Sequence, residues 1–207
     1  MKDIVIIGGG FAGLSACRKL NRHASEKCRV VLLDQRPTSD FLPLLPDVVS
    51  GKITAASSQC SLAELSRRWG FDFINEAAQS VDTSAQTVQT SAGNTYGYDY
   101  LIVATGTVTN FFGMDHLRDA AFTIDSVSKA IELQRVAEKG DFGHIFVVGG
   151  GYTGIEAATH LHRLLLRTGQ RKTITLVELA PQILPNVSGR IRRYTEKNLE
   201  DLGIRTR

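Results

Sequence analysis

Residues 3 to 13 read Asp3-Ile4-Val5-Ile6-Ile7-Gly8-Gly9-Gly10-Phe11-Ala12-Gly13. The apolar run before the glycines predicts a strand that is buried on both faces, and the six residues after it fit the pattern G-x-G-x-x-G. Leu14, Cys17 and Leu20 then predict the packing face of a helix. Residues 29–34 predict a second buried strand, which ends in Asp34. Together these elements predict a complete β-α-β unit.

The three glycines that the pattern requires each have a physical role. Gly8 allows a tight turn, Gly10 lets a pyrophosphate approach the backbone, and Gly13 lets the helix pack closely on the strand. The helix N-terminus offers free N–H groups and a partial positive charge to phosphates. Asp34, 21 residues after Gly13, is placed to accept a hydrogen bond from an adenosine ribose. The unit therefore predicts a dinucleotide site; a ligand-free tight turn is the alternative.

The same pattern recurs 141 residues later. Residues 144–148 predict a strand, the six residues from Gly149 to Gly154 repeat the glycine pattern, and residues 155–167 predict a helix. Residues 173–178 predict a strand that ends in Glu178, 24 residues after Gly154. Two fingerprints in full context predict two dinucleotide sites.

Other elements lie between the two units. Short alternating stretches within residues 71–104 predict antiparallel strands in a meander, beginning with residues 71–74. Residues 98–104 predict a buried strand that brings Thr105 and Gly106 to the carboxyl edge of the sheet, where ligands bind in open α/β folds. Residues 125–139 and 190–202 predict helices, and the residues after Gly203 predict the start of a further strand.

The composition excludes several classes of protein. The chain has 207 residues, a net charge of +3, 43 % hydrophobic and 22 % charged residues, as is typical of a soluble globular protein. No run of like charges predicts nucleic-acid binding, and no apolar run reaches the ~20 residues of a membrane-spanning helix. Three scattered cysteines have neither metal nor disulfide spacing, and the N-terminus lacks a signal-peptide pattern. These features predict a cytoplasmic α/β protein.

The motifs resemble those of the flavoproteins with two dinucleotide-binding domains, and most closely the type II NADH:quinone oxidoreductases. The more specific segments are Phe41-Leu42-Pro43-Leu44-Leu45-Pro46-Asp47-Val48 followed by Gly51, and Asn110-Phe111-Phe112-Gly113. The second loop with its Glu156 is also similar to that family, although glycine loops of this kind are general in the superfamily. The resemblance implies an α/β fold with two Rossmann-like domains of the glutathione-reductase type, the second incomplete. It implies an FAD-binding domain over residues 1–112 and an NADH-binding domain over residues 113–207.

The resemblance also assigns residues to the two cofactors. Those expected to contact FAD are Gly8, Gly9, Gly10, Phe11, Ala12, Gly13, Asp34, Gln35, Pro43, Val81, Ala104, Thr105 and Gly106. Those expected to contact NADH are Gly149, Gly151, Tyr152, Thr153, Gly154 and Glu178. Glu178 would accept a hydrogen bond from the ribose 2′-OH and repel a 2′-phosphate, which favours NADH over NADPH. Glu156 corresponds to a catalytic glutamate on the nicotinamide and quinone side of the flavin; the alternative is a first-turn acid that stabilises the helix dipole.

The implied activity is hydride transfer from NADH to FAD, with electrons passed on to a quinone. The cysteine pairs of related disulfide reductases have no counterpart here, so no thiol mechanism is expected. No metal site is expected either, because the cysteines lack the spacing of metal ligands. Family members continue beyond Arg207, so we expect a piece of a longer enzyme. Attachment to the inner face of the cell membrane and homodimer formation are further expectations. Alternatives are a reductase of ferredoxin or another carrier, and an inactive nucleotide-binding fragment.

Four further side chains receive structural interpretations. His160 and His162 are two residues apart and do not share a helix face, so no metal site is expected there. With Arg163 and Arg167 nearby, this helix is expected to present a solvated basic surface. Trp69 and Phe71 are expected in the core.

Overall fold

The computed structural model describes residues 1–24 and 27–207. Within them the strands are β1 (Lys2–Ile7), β2 (Cys28–Leu33), β3 (Thr38–Asp40), β4 (Gln59–Ser61), β5 (Asp72–Ile74), β6 (Ala78–Asp82), β7 (Thr87–Thr90), β8 (Thr95–Gly97), β9 (Tyr100–Val103), β10 (His144–Val148), β11 (Thr173–Val177) and β12 (Arg205–Thr206). The helices are α1 (Phe11–Ala24), α2 (Leu45–Val49), α3 (Leu62–Trp69), α4 (Val127–Lys139), α5 (Tyr152–Thr168) and α6 (Gly189–Asp201).

The chain forms two compact units. Unit 1 contains Met1–Phe41 and Gln59–Val108, and unit 2 contains Leu42–Ser58 and Thr109–Arg207. The α/β fold class is confirmed, with a parallel sheet in each unit. The division into cofactor domains at residue 112 stays a prediction, because the units are defined by packing and the segment 42–58 belongs to unit 2.

The centre of unit 1 is a four-stranded parallel sheet in the order β5-β2-β1-β9. Successive side chains of a strand point to opposite faces, and the core divides accordingly. Ile4 and Ile6 of β1 pack with Cys17 of α1 on one face, whereas Val5 and Ile7 pack on the other. Both faces are covered, as the continuous apolar sequence of β1 requires.

A small antiparallel sheet, β6-β7-β8, supplies the cover on the second face. Its Val88 is fully buried with Val5, Ile7 and Leu33. The predicted meander is therefore present over residues 78–97. The strand predicted over residues 71–74 is present as β5, but its place in the meander is wrong, because β5 pairs in parallel with β2 and belongs to the main sheet. Long-range pairing with β2 determines where β5 lies, and local alternation carries no information about it.

A third element of unit 1 lies beside the first glycine-rich loop. β3 and β4 pair in antiparallel register, and α3 follows directly. Ser61 caps α3 by accepting a hydrogen bond from the Glu64 backbone N–H at 3.2 Å, and Gly70 ends it in a left-handed conformation with φ of 78°. The helix thereby buries Leu62, together with Phe71, against the β1 face.

Unit 2 contains the three-stranded parallel sheet β10-β11-β12. Helix α5 packs on this sheet through Leu161, Leu164 and Leu165. Helices α4 and α2 pack into the same core, to which α2 contributes Val48 and Val49. The strand predicted after Gly203 is present as β12, paired in parallel with β11.

The solvated face predicted for α5 is wrong at His160. Its side chain is only 14 % exposed, and its Nδ1 lies 3.1 Å from the Ser50 hydroxyl. Burial lowers the pKa of His160, although the nearby carboxylate of Asp47 acts in the opposite direction. His160 therefore attaches the 42–58 segment to α5 as an uncharged side chain at neutral pH.

No helix within residues 1–24 and 27–207 is both long and apolar enough to cross a membrane.

The buried Val88 gives the first testable prediction. Val88→Ala removes two methyl groups from a fully buried position, so we expect a loss of roughly 2 kcal/mol in the free energy of unfolding. Val108→Ala, at a side chain that is 89 % exposed, is the control and should change it by less than about 0.5 kcal/mol. Urea unfolding followed by circular dichroism measures both; equal effects would show that the small sheet does not cover the parallel sheet.

Candidate functional site

The first glycine-rich loop (residues 8–13) turns sharply at Gly8. Its φ is +106°, and its N–H donates to the Leu33 carbonyl at 2.8 Å. A Cβ on Gly8 would lie 2.2 Å from the Ala104 carbonyl oxygen. Both the backbone conformation and the neighbouring strand end therefore require glycine here. The contact also places Ala104 and Thr105 against the loop, so that Thr105 lies at the carboxyl edge of the sheet, where the sequence predicts it.

Gly13 brings α1 close to the strand end. A Cβ at this position would lie 1.8 Å from the carbonyl oxygen of Gly8. The obstructing atom belongs to the backbone, so no side-chain rotation relieves the contact. The third glycine of the pattern therefore has the packing role that the sequence predicts.

Gly10 and the start of α1 are open to a ligand. A Cβ on Gly10 would meet no protein atom within 4 Å. The first helical hydrogen bond runs from the Leu14 N–H to the Gly10 carbonyl at 2.9 Å. The N–H groups of residues 11–13 precede it and have no acceptor within the helix. This arrangement fits the pyrophosphate of a dinucleotide.

Asp34 connects the end of β2 to the loop. It is buried; one carboxylate oxygen accepts from the Gly9 N–H at 2.6 Å and the other from the Arg36 N–H at 2.8 Å. Each oxygen keeps a second lone pair. The carboxylate can therefore hold the loop and still accept a hydrogen bond from a ribose hydroxyl.

The second glycine-rich loop (residues 149–154) repeats this geometry. Gly149 also has φ of +106°, and its N–H donates to the Val177 carbonyl at 2.8 Å. A Cβ on Gly154 would lie 1.8 Å from the Gly149 carbonyl oxygen, and a Cβ on Gly151 would meet no protein atom within 4 Å. Gly151 also occupies the N-cap of α5, where its lack of a side chain leaves the first N–H groups accessible.

Glu178 takes the place of Asp34 at the second loop. Its Oε2 accepts from the Gly150 N–H at 2.5 Å, and its Oε1 accepts from the Ala180 N–H at 2.9 Å. Hydrogen bonds from the backbone N–H groups of Ala180 and Gly150 lower the pKa of this carboxyl group. Glu178 is therefore ionised at neutral pH, as repulsion of a 2′-phosphate requires.

Four further residues are predicted to contact FAD, the cofactor expected at the first glycine-rich loop. Gly106 has φ of +74° and open space around it, and Gln35 is exposed next to Asp34. Val81 lies in β6 of the small sheet and is partly exposed. Pro43 lies in a short 3-10 turn of unit 2. The roles of all of these residues stay predictions.

Glu156 is exposed on α5. The helix begins at Tyr152, so Glu156 is its fifth residue, and the first turn contains no acid. The alternative interpretation, a first-turn acid that stabilises the helix dipole, is therefore wrong. The charge of Glu156 has no local structural explanation of that kind.

Sequence reasoning missed the residues that enclose the middle glycine of each loop. A Cβ on Gly9 would lie 2.7 Å from the Leu62 side chain, and a Cβ on Gly150 would lie 2.9 Å from that of Ile183. The second of the three consecutive glycines in each loop, Gly9 and Gly150, was the available signal. The G-x-G-x-x-G pattern does not require glycine there, so its presence in both loops points to a close contact.

The cysteines of the chain are free thiols. Burial raises the pKa of Cys17 to about 12, and burial also raises the pKa of Cys60. Because the thiolate is the reactive form, neither thiol is activated in this environment.

Comparisons with known proteins agree with this site. The sequence model of a family described as pyridine nucleotide-disulphide oxidoreductase matches residues 2–207. A type II NADH:quinone oxidoreductase from Staphylococcus aureus is 29 % identical over 223 aligned residues, which cover 98 % of this chain and 55 % of the relative. The chain thus spans about half the length of the curated relatives it matches.

Solved structures have the same fold. NDH2 from Plasmodium falciparum in complex with NADH superposes with a TM-score of 0.86 at 22 % identity, covering 99 % of this chain and 47 % of that one. The sulfide:quinone oxidoreductase from Aquifex aeolicus has a TM-score of 0.85 at 27 % identity, covering 100 % of this chain and 51 % of that one.

The contact between Gly13 and the Gly8 carbonyl gives the second prediction. Gly13→Ala forces the helix and strand apart, so we expect unfolding free energy to fall by about 1–3 kcal/mol. Gly97→Ala is the matched control, because a Cβ there meets no atom within 4 Å. Thermal unfolding of both variants measures the difference. A Gly13→Ala protein as stable as Gly97→Ala would contradict the close approach.

Proposed function

The chain belongs to the pyridine nucleotide-disulphide oxidoreductase family, and from that membership we propose that it is part of an enzyme that transfers a hydride from NADH to FAD and electrons on to a quinone. The chain covers 55 % of the Staphylococcus aureus relative. The activity is therefore proposed for a protein of that full length, and the two cofactor sites are proposed for this chain.

One observation carries the proposal: the same loop-closing carboxylate occurs twice. Asp34 binds the Gly9 N–H and Glu178 binds the Gly150 N–H, at 2.6 and 2.5 Å. In both loops the next glycine leaves open space and a helix begins directly after it. A single protein with two dinucleotide sites suits the transfer of a hydride from one dinucleotide to another.

The family resemblance supports the order of the cofactors, with FAD at the first loop and NADH at the second. FAD, when bound, supplies a ring system that accepts a hydride and releases the electrons again. The chain itself binds the two pyrophosphates at the starts of α1 and α5. The carboxylates of Asp34 and Glu178 orient the adenosine riboses.

Glu156 is proposed to hold a proton on the nicotinamide and quinone side of the flavin. Its exposure and its place beyond the first turn of α5 support a role in contact with a ligand. A quinone as acceptor is supported by the name of the Staphylococcus aureus relative. Attachment to the inner face of the cell membrane and homodimer formation are part of the same proposal.

The third prediction assigns one cofactor to each loop. Gly10→Val fills the open space at the first loop, so we expect FAD binding to weaken at least about tenfold, equivalent to ~1.4 kcal/mol, while NADH binding stays unchanged. Gly151→Val should do the reverse. Flavin absorbance after reconstitution and the fluorescence of titrated NADH measure the two affinities.

Each of these variants is the control for the other, because an added Cβ at either position would have no protein atom within 4 Å. Loss of both cofactors in both variants would indicate misfolding, which circular dichroism detects. A wild-type chain that binds neither FAD nor NADH would overturn the proposed sites. If flavin binds and NADH then bleaches it under anaerobic conditions, the chain carries out the first half-reaction itself.

The fourth prediction concerns the choice between NADH and NADPH. Glu178→Gln removes the negative charge that opposes a 2′-phosphate and keeps one acceptor oxygen, so we expect the preference for NADH to fall by ~1–3 kcal/mol. The ratio of the two dissociation constants measures it. Glu196→Gln removes the same charge from an exposed side chain of α6, and this control should leave the ratio unaltered. An unchanged ratio in Glu178→Gln would refute the role of Glu178.

A further inference from the structure

Arg192 of α6 binds a loop that it does not belong to. Its Nε donates to the Ile183 carbonyl at 3.0 Å, its Nη1 to the Gln182 side-chain oxygen at 2.7 Å, and its Nη2 to the carbonyls of Val187 at 3.2 Å and Leu184 at 3.3 Å. All three guanidinium nitrogens are thus engaged with residues 179–187, the loop that connects Glu178 to α6.

The position of Arg192 is unfavourable in isolation. It is the fourth residue of α6, where a cation lies at the positive end of the helix dipole. The guanidinium points back to the loop before the helix and has five acceptors there, of which the fifth is the Pro185 carbonyl, 3.5 Å from Nη2. Its neighbour Arg193 is exposed. Arg192 is therefore used for its directed donors, which a lysine with a single ammonium group cannot reproduce.

Leu184 is the residue that this network stabilises most directly. It has φ of +48°, a left-handed conformation that costs free energy for a residue with a side chain and persists only when its surroundings hold it. Its N–H donates to the Gly150 carbonyl at 2.9 Å, and its carbonyl accepts from Arg192. The strained residue is thus held on both sides.

The loop contacts the second glycine-rich loop at Gly150 in two ways. Besides the hydrogen bond from Leu184, the side chain of Ile183 packs so closely that a Cβ on Gly150 would lie 2.9 Å from it. Gly150 also donates its N–H to Glu178. Ile183 is buried in the core with Leu176, so its place depends on the loop conformation.

We propose that Arg192 is a positioning residue for the second nucleotide site: its guanidinium fixes the 179–187 loop, and through Leu184 and Ile183 the loop holds Gly150 and Glu178 in the conformation that binds a dinucleotide. The inference rests on the proposed function of the second loop as the NADH site. Arg192 itself need not touch the nucleotide. Its removal lowers the fraction of molecules in which the site is formed.

The experiment compares Arg192→Met with Arg193→Met, the same change at the exposed neighbouring position. If the formed site drops to about a tenth of the molecules, the dissociation constant for NADH rises about tenfold. ADP-ribose, which keeps the adenosine, the pyrophosphate and the second ribose of NADH but lacks the nicotinamide, should lose affinity by the same factor. FAD binding should not change. Arg193→Met should behave as the wild type for all three ligands.

Amide hydrogen exchange gives a second readout. Exchange should accelerate in Arg192→Met at the Leu184 and Gly150 amides, whereas the Gly9 amide of the first loop should keep its wild-type rate. Arg192→Lys, which can replace some of the donors, should give an intermediate dissociation constant. If Arg192→Met does not fold, the dissociation constant of Arg192→Lys for NADH tests the proposal in its place.

The outcomes separate two failures. A wild-type chain that binds no NADH would refute the proposed function. A wild-type chain that binds NADH, with Arg192→Met matching Arg193→Met in affinity, would overturn the positioning role. A lower unfolding temperature in Arg192→Met with unchanged NADH affinity would also overturn it, because Arg192 would then only stabilise the fold.

Discussion

The structure depends on a carboxylate at the end of the second strand of each β-α-β unit, which accepts the N–H of the middle glycine of the loop. Strand β2 ends before Asp34, and strand β11 ends before Glu178. The other oxygen of each carboxylate accepts a hydrogen bond from the backbone N–H two residues further along the chain, that of Arg36 or of Ala180. This one side chain therefore fixes both the loop at the helix start and the direction in which the chain leaves the sheet. A side chain without acceptor oxygens would leave both unfixed.

Much of this could be predicted from the sequence, because the determinants are local. The strands of residues 3–7 and 144–148 are continuous apolar runs, the glycines have fixed spacing, and each acid ends its strand. The helix predicted over 125–139 is observed at Val127–Lys139, and that predicted over 190–202 at Gly189–Asp201. Both helices begin after a serine that accepts a hydrogen bond from the backbone three residues on, a signal that the sequence contains.

What could not be predicted depends on contacts between distant residues. Strand β5 has three residues, and only its pairing with β2, where Ile74 lies opposite Leu33, places it in the main sheet. His160 is mostly buried, which lowers its pKa, and its hydrogen-bond partner Ser50 lies 110 residues earlier in the chain. Leu62 and Ile183 lie against the glycine-rich loops without any motif of their own. In each case the sequence shows the residue but not its neighbour.

The two glycine-rich loops are alike in backbone and differ in what supports them. At the first loop, the end of strand β9 lies against Gly8, and a Cβ there would lie 2.2 Å from the Ala104 carbonyl oxygen. At the second, a Cβ on Gly149 would meet no atom within 4 Å among the residues described. Main-chain packing thus supports the first loop. In the part of the chain described here, the second relies on Ile183, Leu184 and the guanidinium of Arg192, so its conformation is the more sensitive of the two to a single side chain.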